Sequence, residues 1–378
     1  MVHYFNEFCL LKPLLLQHHF YRYRSIILLL FIVLCIHLFS LNSAWVERYY
    51  TYSAYPVIAR TLRLLFGWLP FSIGDVLYFS AGVYLIVKGV KFFVLLRKRV
   101  PFKFLLWTFF RKLIRLLLVV YILFNLLWGL NYSRQGIDHQ LGLSVTRYSV
   151  SELSDLASAI QQRLNTYAAV VDSLERIHLG KNRIIFSEAR ATYQKAQQFY
   201  PYLTYTVPSI KPSLYSDIGH YFGFTGYYNP FTGEAQVKTS IPNFLKPFVV
   251  THEIAHQLGY AKENEANFVA FLSSRTSGNN EVIYSAYFEM YLYAMSELKR
   301  KDSVLANQMI QHLHPQVKRD EAAYRKYLLQ TRNPVEPYIS LFYDQYLKWN
   351  RQPKGVRTYN EVIAWLIAYM KKNGAASI

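Results

Sequence analysis

The sequence predicts a mainly α protein in two parts, with apolar transmembrane helices first and an α+β domain with a small β-hairpin after them. Three observations predict it. Three apolar runs fall within the first 131 of the 378 residues. Charge is shared unevenly: residues 1–131 carry 15 Lys and Arg against the three acids Glu7, Glu47 and Asp75, whereas residues 132–378 carry 27 against 20. The second part reads as helical for most of its length, except where aromatic, Gly and Pro residues crowd between Tyr221 and Lys238.

The apolar runs span about 25–41, 71–96 and 113–130, each close to the roughly 20 residues a helix needs to cross a bilayer. Their content raises the hydrophobic share of the chain to 52% with only 17% charged, unusual for a purely soluble protein. No small-residue cleavage site stands out after the first run, which reads as an uncleaved anchor. Lys12, Arg22 and Arg24 precede that run. Arg97, Lys98, Arg99, Lys103, Arg111 and Lys112 lie between the second and third. The bias places both segments in the cytoplasm and residues 132–378 outside it, in a multi-pass protein of the cytoplasmic (inner) membrane. The loop between the first two runs is aromatic and carries Arg48, Arg60 and Arg63, as a segment lying in the interface would.

This charge serves topology and anionic lipid, and no nucleic-acid-binding signature accompanies it, so nucleic acid is not an expected partner. The expected partners are the lipid bilayer and a peptide or protein substrate. The only cysteines, Cys9 and Cys35, fall in the apolar part, so the second part has no disulfide.

Residues 132–149 read as a linker and 150–378 as one domain. Ser151 is a plausible N-cap for a helical stretch from Val150 to about Leu179. Asn182 to Phe186 reads as a short strand, Ala189 to Phe199 as a helix and Leu203 to Pro212 as extended. Tyr221 to Lys238 reads as a β-hairpin or two short strands. Helices resume near Phe248.

The chemistry concentrates on the next helix. Thr251-His-Glu-Ile-Ala-His-Gln-Leu-Gly259 contains HExxH. His252 and His256 lie one helical turn apart and point the same way, so both can bind one metal ion, and zinc is the expected ion. Glu253 comes off the same turn about 100° away, placed to act as a general base rather than as a ligand. Val249, Val250, Ile254, Ala255 and Leu258 make the helix amphipathic, and Gly259 ends it.

The third ligand has to come from beyond the turn. Lys262 stands where a metzincin has its third His. Glu263-Asn-Glu265-Ala-Asn267 offers carboxylates and resembles the E-x-x-A-D pattern of gluzincin peptidases. That resemblance implies Glu263 as zinc ligand and Asn267, four residues on, as the brace of a ligand His. Asn carries no charge where the pattern has Asp, which weakens that support. Glu265 is the alternative third ligand.

Thr232 to Val237 is proposed as an edge strand that pairs with an extended substrate, with a plain structural hairpin as the equal alternative. His220, Tyr227, Tyr228, Tyr284, Tyr287 and Tyr291 could stabilise an oxyanion. Tyr284 is singled out as a catalytic residue because its helix follows the ligand helix. His178, His312 and His314 read as surface or core residues.

Trp128-Gly-Leu-Asn-Tyr132, Asn229-Pro-Phe-Thr-Gly-Glu234, HEIAHQLG and Glu265-Ala-Asn-Phe268 together resemble an uncharacterised bacterial membrane family, a domain of unknown function. The resemblance implies membrane spans joined to a zincin-like α+β metallopeptidase domain with a gluzincin-like site. It implies no substrate. The expected function is therefore a membrane-anchored zinc metallohydrolase, a peptidase using a metal-activated water and Glu253 as base. A non-catalytic membrane sensor or scaffold with a structural or vestigial metal site is the alternative.

Overall fold

The apolar segments form helices that run into the metal-motif domain instead of standing apart from it. This computed structural model describes residues 24–97, 101–355 and 361–378. The expectations for Cys9, Lys12, Arg22, Lys98 and Arg99 lie outside the described residues. Helix α1 spans Arg24–Ser40, and α2, Ser43–Phe66, turns away from it by 95°. The first interhelical loop is thus mostly helix, and Val46–Ala54 within it is π-helical. Helix α3 covers Ile73–Arg97. Helix α4, Phe102–Leu127, begins well before the expected third span and draws Lys103, Arg111 and Lys112 into its first half. Among the described residues, α3 is long and apolar enough to cross a membrane as a single helix, and α1 with α2 meets the same test as a bent pair; the expected third span does not, because α4 ends at Leu127 and carries Arg111, Lys112 and Arg115 along the stretch.

The chain then makes a 3-10 turn at Gly129–Ser133 and a short helix α5, Ile137–Leu141. Asn131, Tyr132, Ser133, Arg134 and Ile137 are buried, so the start of the expected linker is packed. Helix α6, Val150–Ala168, starts with a capping box between Ser149 and Glu152, two residues before the expected cap. It buries Leu153, Leu156, Ile160 and Leu164, an i, i+3, i+4 pattern that gives one apolar face. Helix α7 is Ser173–Leu179 and α8 is Asn182–Ala196. The strand expected at Asn182–Phe186 is therefore the start of α8, where Ile185, Ala189 and Tyr193 recur at helical spacing and are buried.

A three-stranded sheet follows, with β1 at Ile210–Pro212, β2 at Gly226–Asn229 and β3 at Glu234–Val237, in the order β1-β3-β2. β1 runs parallel to β3, Ile210 opposite Ala235, and β2 runs antiparallel to it, Gly226 opposite Val237. The strand expected at an edge, β3, is thus central, because β1 pairs with it from an earlier segment. Between β2 and β3, Asn229 Oδ1 accepts from the amides of Phe231 and Thr232, and Gly233 takes φ +69°, which closes the turn. Glu234, the first residue of β3, caps α3 with its side chain: its carboxylate accepts from the amides of Ile73 (3.1 Å) and Gly74 (2.6 Å). An anion at a helix N-terminus offsets the unpaired amides there.

The rest is helical: α9 Lys246–Gln257, α10 Glu263–Ser274, α11 Asn280–Lys301, α12 Ser303–Gln311, α13 Pro315–Thr331, α14 Glu336–Trp349 and α15 Val362–Asn373. One core joins α6, α8, α9, α10, α11 and α15. A smaller cluster joins α1, α2 and α4 through Ile36, Tyr55 and Trp128 to Tyr228 and Ala261. The chain is mainly helical with a small sheet, as the sequence predicts.

Candidate metal centre

Helix α9 lies in the core, with Val250, Ile254 and Ala255 fully buried. That burial fixes its rotation, so His252 and His256 emerge together, their rings perpendicular and 4.7 Å apart. The helix stops at Gly259, whose φ of +88° suits a residue without a side chain. A Cβ there would also stand 2.9 Å from the Tyr55 ring. The turn brings in α10, whose first residue is Glu263. Its Oε2 lies 3.2 Å from Nε2 of His252 and 3.6 Å from Nε2 of His256. The three ligand atoms lie within 4.8 Å of one another, and the group could hold a metal ion.

The neighbours orient these donors. The backbone carbonyl of Tyr260 lies 2.7 Å from Nδ1 of His256. A carbonyl can only accept, so Nδ1 carries the hydrogen and a neutral ring presents its Nε2 lone pair toward Glu263. Tyr343 of α14 donates 2.8 Å to Oε1 of Glu263, which leaves Oε2 for the imidazoles. The Glu263 amide donates to Gln352 Oε1 at 3.1 Å. Asn267 stands beside the His252 ring but does not form the expected brace: its amide donates 3.4 Å to the Tyr293 hydroxyl, and Nδ1 of His252 makes no hydrogen bond.

Burial lowers the pKa of His252. Burial also opposes charge on His256, yet the Glu263 carboxylate outweighs it and raises that ring to about 9. Glu263 is held well below the usual carboxylate range: burial opposes this, and the two imidazoles more than offset it. Burial pushes Glu253 up to about 8, against the opposing pull of the His256 imidazole and with the Glu263 carboxylate adding to the rise. Oε2 of Glu253 makes no hydrogen bond. β2 passes directly over the carboxylate, since a Cβ on Gly226 would meet Glu253 Oε1 at 2.5 Å. Two imidazole nitrogens and one carboxylate oxygen are a donor set that fits a divalent metal cation, with the buried Glu253 carboxylate beside it.

The far end of α9 is held by the N-terminal helices. Trp128 donates its indole N–H to the His256 carbonyl at 3.1 Å. Tyr55 and Arg63 of α2 donate to the Gln257 carbonyl at 2.9 and 3.0 Å. Arg134 donates to the Gly259 carbonyl at 3.3 Å. These donors satisfy terminal carbonyls that would otherwise lack partners, and the two guanidinium groups complement the negative helix end.

Of the expected site residues, the structure brings His252, Glu253, His256, Glu263 and Asn267 together. Glu265 stands elsewhere: fully buried, it pairs with Lys262 at 3.3 Å on the side of Gly136. Two positions along a helix turn a side chain by about 200°, so Glu263 and Glu265 cannot both face the imidazoles. Tyr284 does not reach the site. Its hydroxyl donates 2.6 Å to Asp320, which also pairs with Arg176. Tyr287 donates to the carbonyl of Ile378, and Tyr227 to Asp75. Tyr228 packs 5.1 Å from Trp128, near the centre. His312 bonds its own helix and His314 caps α13.

Tyr343, Gln352 and the bonding role of Trp128 escape sequence reasoning. Tyr343 is one of 33 tyrosines and sits 80 residues from Glu263, so spacing carries no signal. Trp128 does carry one, because it opens the WGLNY motif.

The chain belongs to the family described as Protein of unknown function (DUF3810), which it matches over residues 50–367. No curated protein and no solved structure matches it.

Proposed function

We propose that this protein is a membrane-anchored zinc metallohydrolase, a gluzincin-like peptidase. The observation that carries the reading is the convergence of His252, His256 and Glu263 with the unpaired Glu253 carboxylate beside them. His252, His256 and Glu263 would hold the ion. When bound, zinc supplies Lewis acidity that polarises a carbonyl and lowers the pKa of a water. Glu253 accepts a proton from the attacking water on Oε2 and delivers it to the departing amine. Its buried, solvent-poor setting keeps that proton from leaking to bulk water. The edge strand beside the site is β2, and an extended peptide adding to it would pass over Glu253 at Gly226.

Three contacts support the membrane reading. The C-terminal end of α1, the N-terminus of α3 and the C-terminal end of α4 all meet the metal-bearing domain: Ser40 through Arg351, Gly74 through Glu234, and Trp128 through His256. If these helices cross a bilayer, their alternating directions are consistent with those three ends sharing one side of it. Helix α3 does not bury its apolar stretch against the rest of the chain. At 1.5 Å per residue its 25 residues reach about 37 Å, enough for a hydrocarbon core of about 30 Å. The Lys/Arg bias supports a metal site outside the cytoplasm, facing peptides or other amides of the envelope.

Metal analysis of the purified chain, with cleavage products of membrane and envelope proteins compared between wild type and Glu253→Gln, tests this. Stoichiometric zinc in both and products in the wild type alone are expected. Hydrolysis that survives Glu253→Gln overturns the mechanism.

A further inference from the structure

Helix α14 has two faces of opposite use. Its inner face carries Tyr343 to Glu263. Its outer face presents Tyr338, Leu341, Phe342 and Trp349, which are 74, 66, 69 and 76% exposed. At 100° per residue these four fall within a stripe of about 100°. An exposed apolar stripe of this kind marks an interaction surface.

Its surroundings say what covers it. The C-terminal end of α14 is next to the end of α1, where Arg351 donates 3.3 Å to Ser40. Its N-terminal end is tied by Asn333, which donates 2.8 Å to the carbonyl of His220. His220 belongs to the segment 213–222, which exposes Ile218 and Phe222 at 47 and 48%. That segment is fastened to the start of α3: the Leu214 amide donates 2.7 Å to Asp75 Oδ2, and the Tyr215 hydroxyl 2.7 Å to the Asp75 carbonyl. The exposed aromatics therefore lie between the same-side ends of two apolar helices. Arg332 precedes the stripe and Lys348, paired with Asp344, stands near its close. Aromatic rings flanked by basic side chains suit the headgroup layer of a bilayer with anionic lipid.

We infer that the outer face of α14 and the Ile218–Phe222 segment rest in the headgroup region of the bilayer that α1 and α3 cross. The helix that braces Glu263 is then seated on lipid, and the site works on chains presented at the membrane surface. This rests on the membrane reading of the apolar helices.

The test uses the full chain with Cys9→Ser and Cys35→Ser, reconstituted in phosphatidylethanolamine–phosphatidylglycerol vesicles. Single cysteines at Phe342, Tyr338, Ile86 and Leu174 carry an environment-sensitive fluorophore. Ile86, in α3, reports the span, and Leu174, 75% exposed on α7, reports water. Shallow lipid-borne nitroxide is expected to quench the Phe342 and Tyr338 labels several-fold more than the Leu174 label, with the reverse for aqueous iodide. If Ile86 is quenched by lipid nitroxide while Phe342 and Tyr338 behave as Leu174 does, the lipid seat is overturned and the spans stand. If Ile86 is not quenched by lipid, the spans fail and the lipid seat fails with them. Two labelled sites on α14 guard against a variant that misfolds, and elution as for the wild type marks those that fold.

Discussion

The hydroxyl of Tyr343 donates a 2.8 Å hydrogen bond to Oε1 of Glu263, while Oε2 of the same carboxylate faces both imidazoles. One oxygen is thus held by the protein and the other is offered to a cation. Tyr343→Phe keeps the ring and removes the donor. It is expected to weaken zinc binding by roughly 10-fold to 100-fold, with an unchanged far-UV spectrum. Competition with a chromophoric chelator measures it, and unchanged affinity would show that Glu263 needs no such brace.

The two carboxylates at the start of α10 separate cleanly. Glu263→Gln removes a donor facing the imidazoles and is expected to abolish stoichiometric metal. Glu265→Gln leaves the donors in place, but it breaks the buried pair with Lys262. A lower melting temperature with full metal content is the expected result there. Metal loss in Glu265→Gln alone would reverse the assignment.

The metal-free protein should lose stability as pH rises. Glu253 is raised from 4.5 to about 8, so between those values the folded state keeps a proton the unfolded state has released. His256 is raised from 6.5 to about 9; its contribution is complete below pH 6.5 and is lost as pH rises through about 9. Both act in the same direction. His252, lowered by burial, acts against them below about pH 6.5, so the metal-free melting temperature is expected to fall from about pH 6.5 to pH 9, and Glu253→Gln to flatten the first part of that fall. Over the same range zinc affinity is expected to rise, because binding displaces these protons. A metal-free melting temperature that rises between pH 6.5 and pH 9 would contradict the charge balance described for His256.

Tyr284 stabilises the fold at a distance from the chemistry. Its hydroxyl meets a buried Asp320 that Arg176 also holds. Tyr284→Phe is expected to cost about 1–3 kcal/mol in denaturant unfolding, the usual consequence of a lost buried hydrogen bond to a charged group. Metal content and any hydrolysis should be unchanged per folded molecule. A specific loss of turnover would restore it to the site.

Much of the site is legible in the sequence because it is local. His252, Glu253 and His256 share one helical turn, and backbone geometry alone orients them. Glu263 and Asn267 share the next helix at i and i+4. The strand at Asn182–Phe186 misleads for the same reason: five apolar-leaning residues fit either period, and packing of Ile185 against the core selects the helix. β3 is central rather than an edge because β1 pairs with it from more than twenty residues upstream, which no local pattern announces.

By itself the sequence determined a helix with two imidazoles and a carboxylate on it, a stop at Gly259, and apolar helices ahead of it. These follow from periodicity and from the conformations each residue allows. Only the tertiary structure decided which downstream carboxylate meets the imidazoles, that Tyr343 braces it, and that Tyr55, Arg63 and Trp128 close the end of the metal helix. Trp128 reaches His256 across 128 residues and Tyr55 reaches Gln257 across 202. Bonds over such separations are set by how whole helices pack, and burial of the apolar faces, not spacing along the chain, brings their donors to the carbonyls that need them.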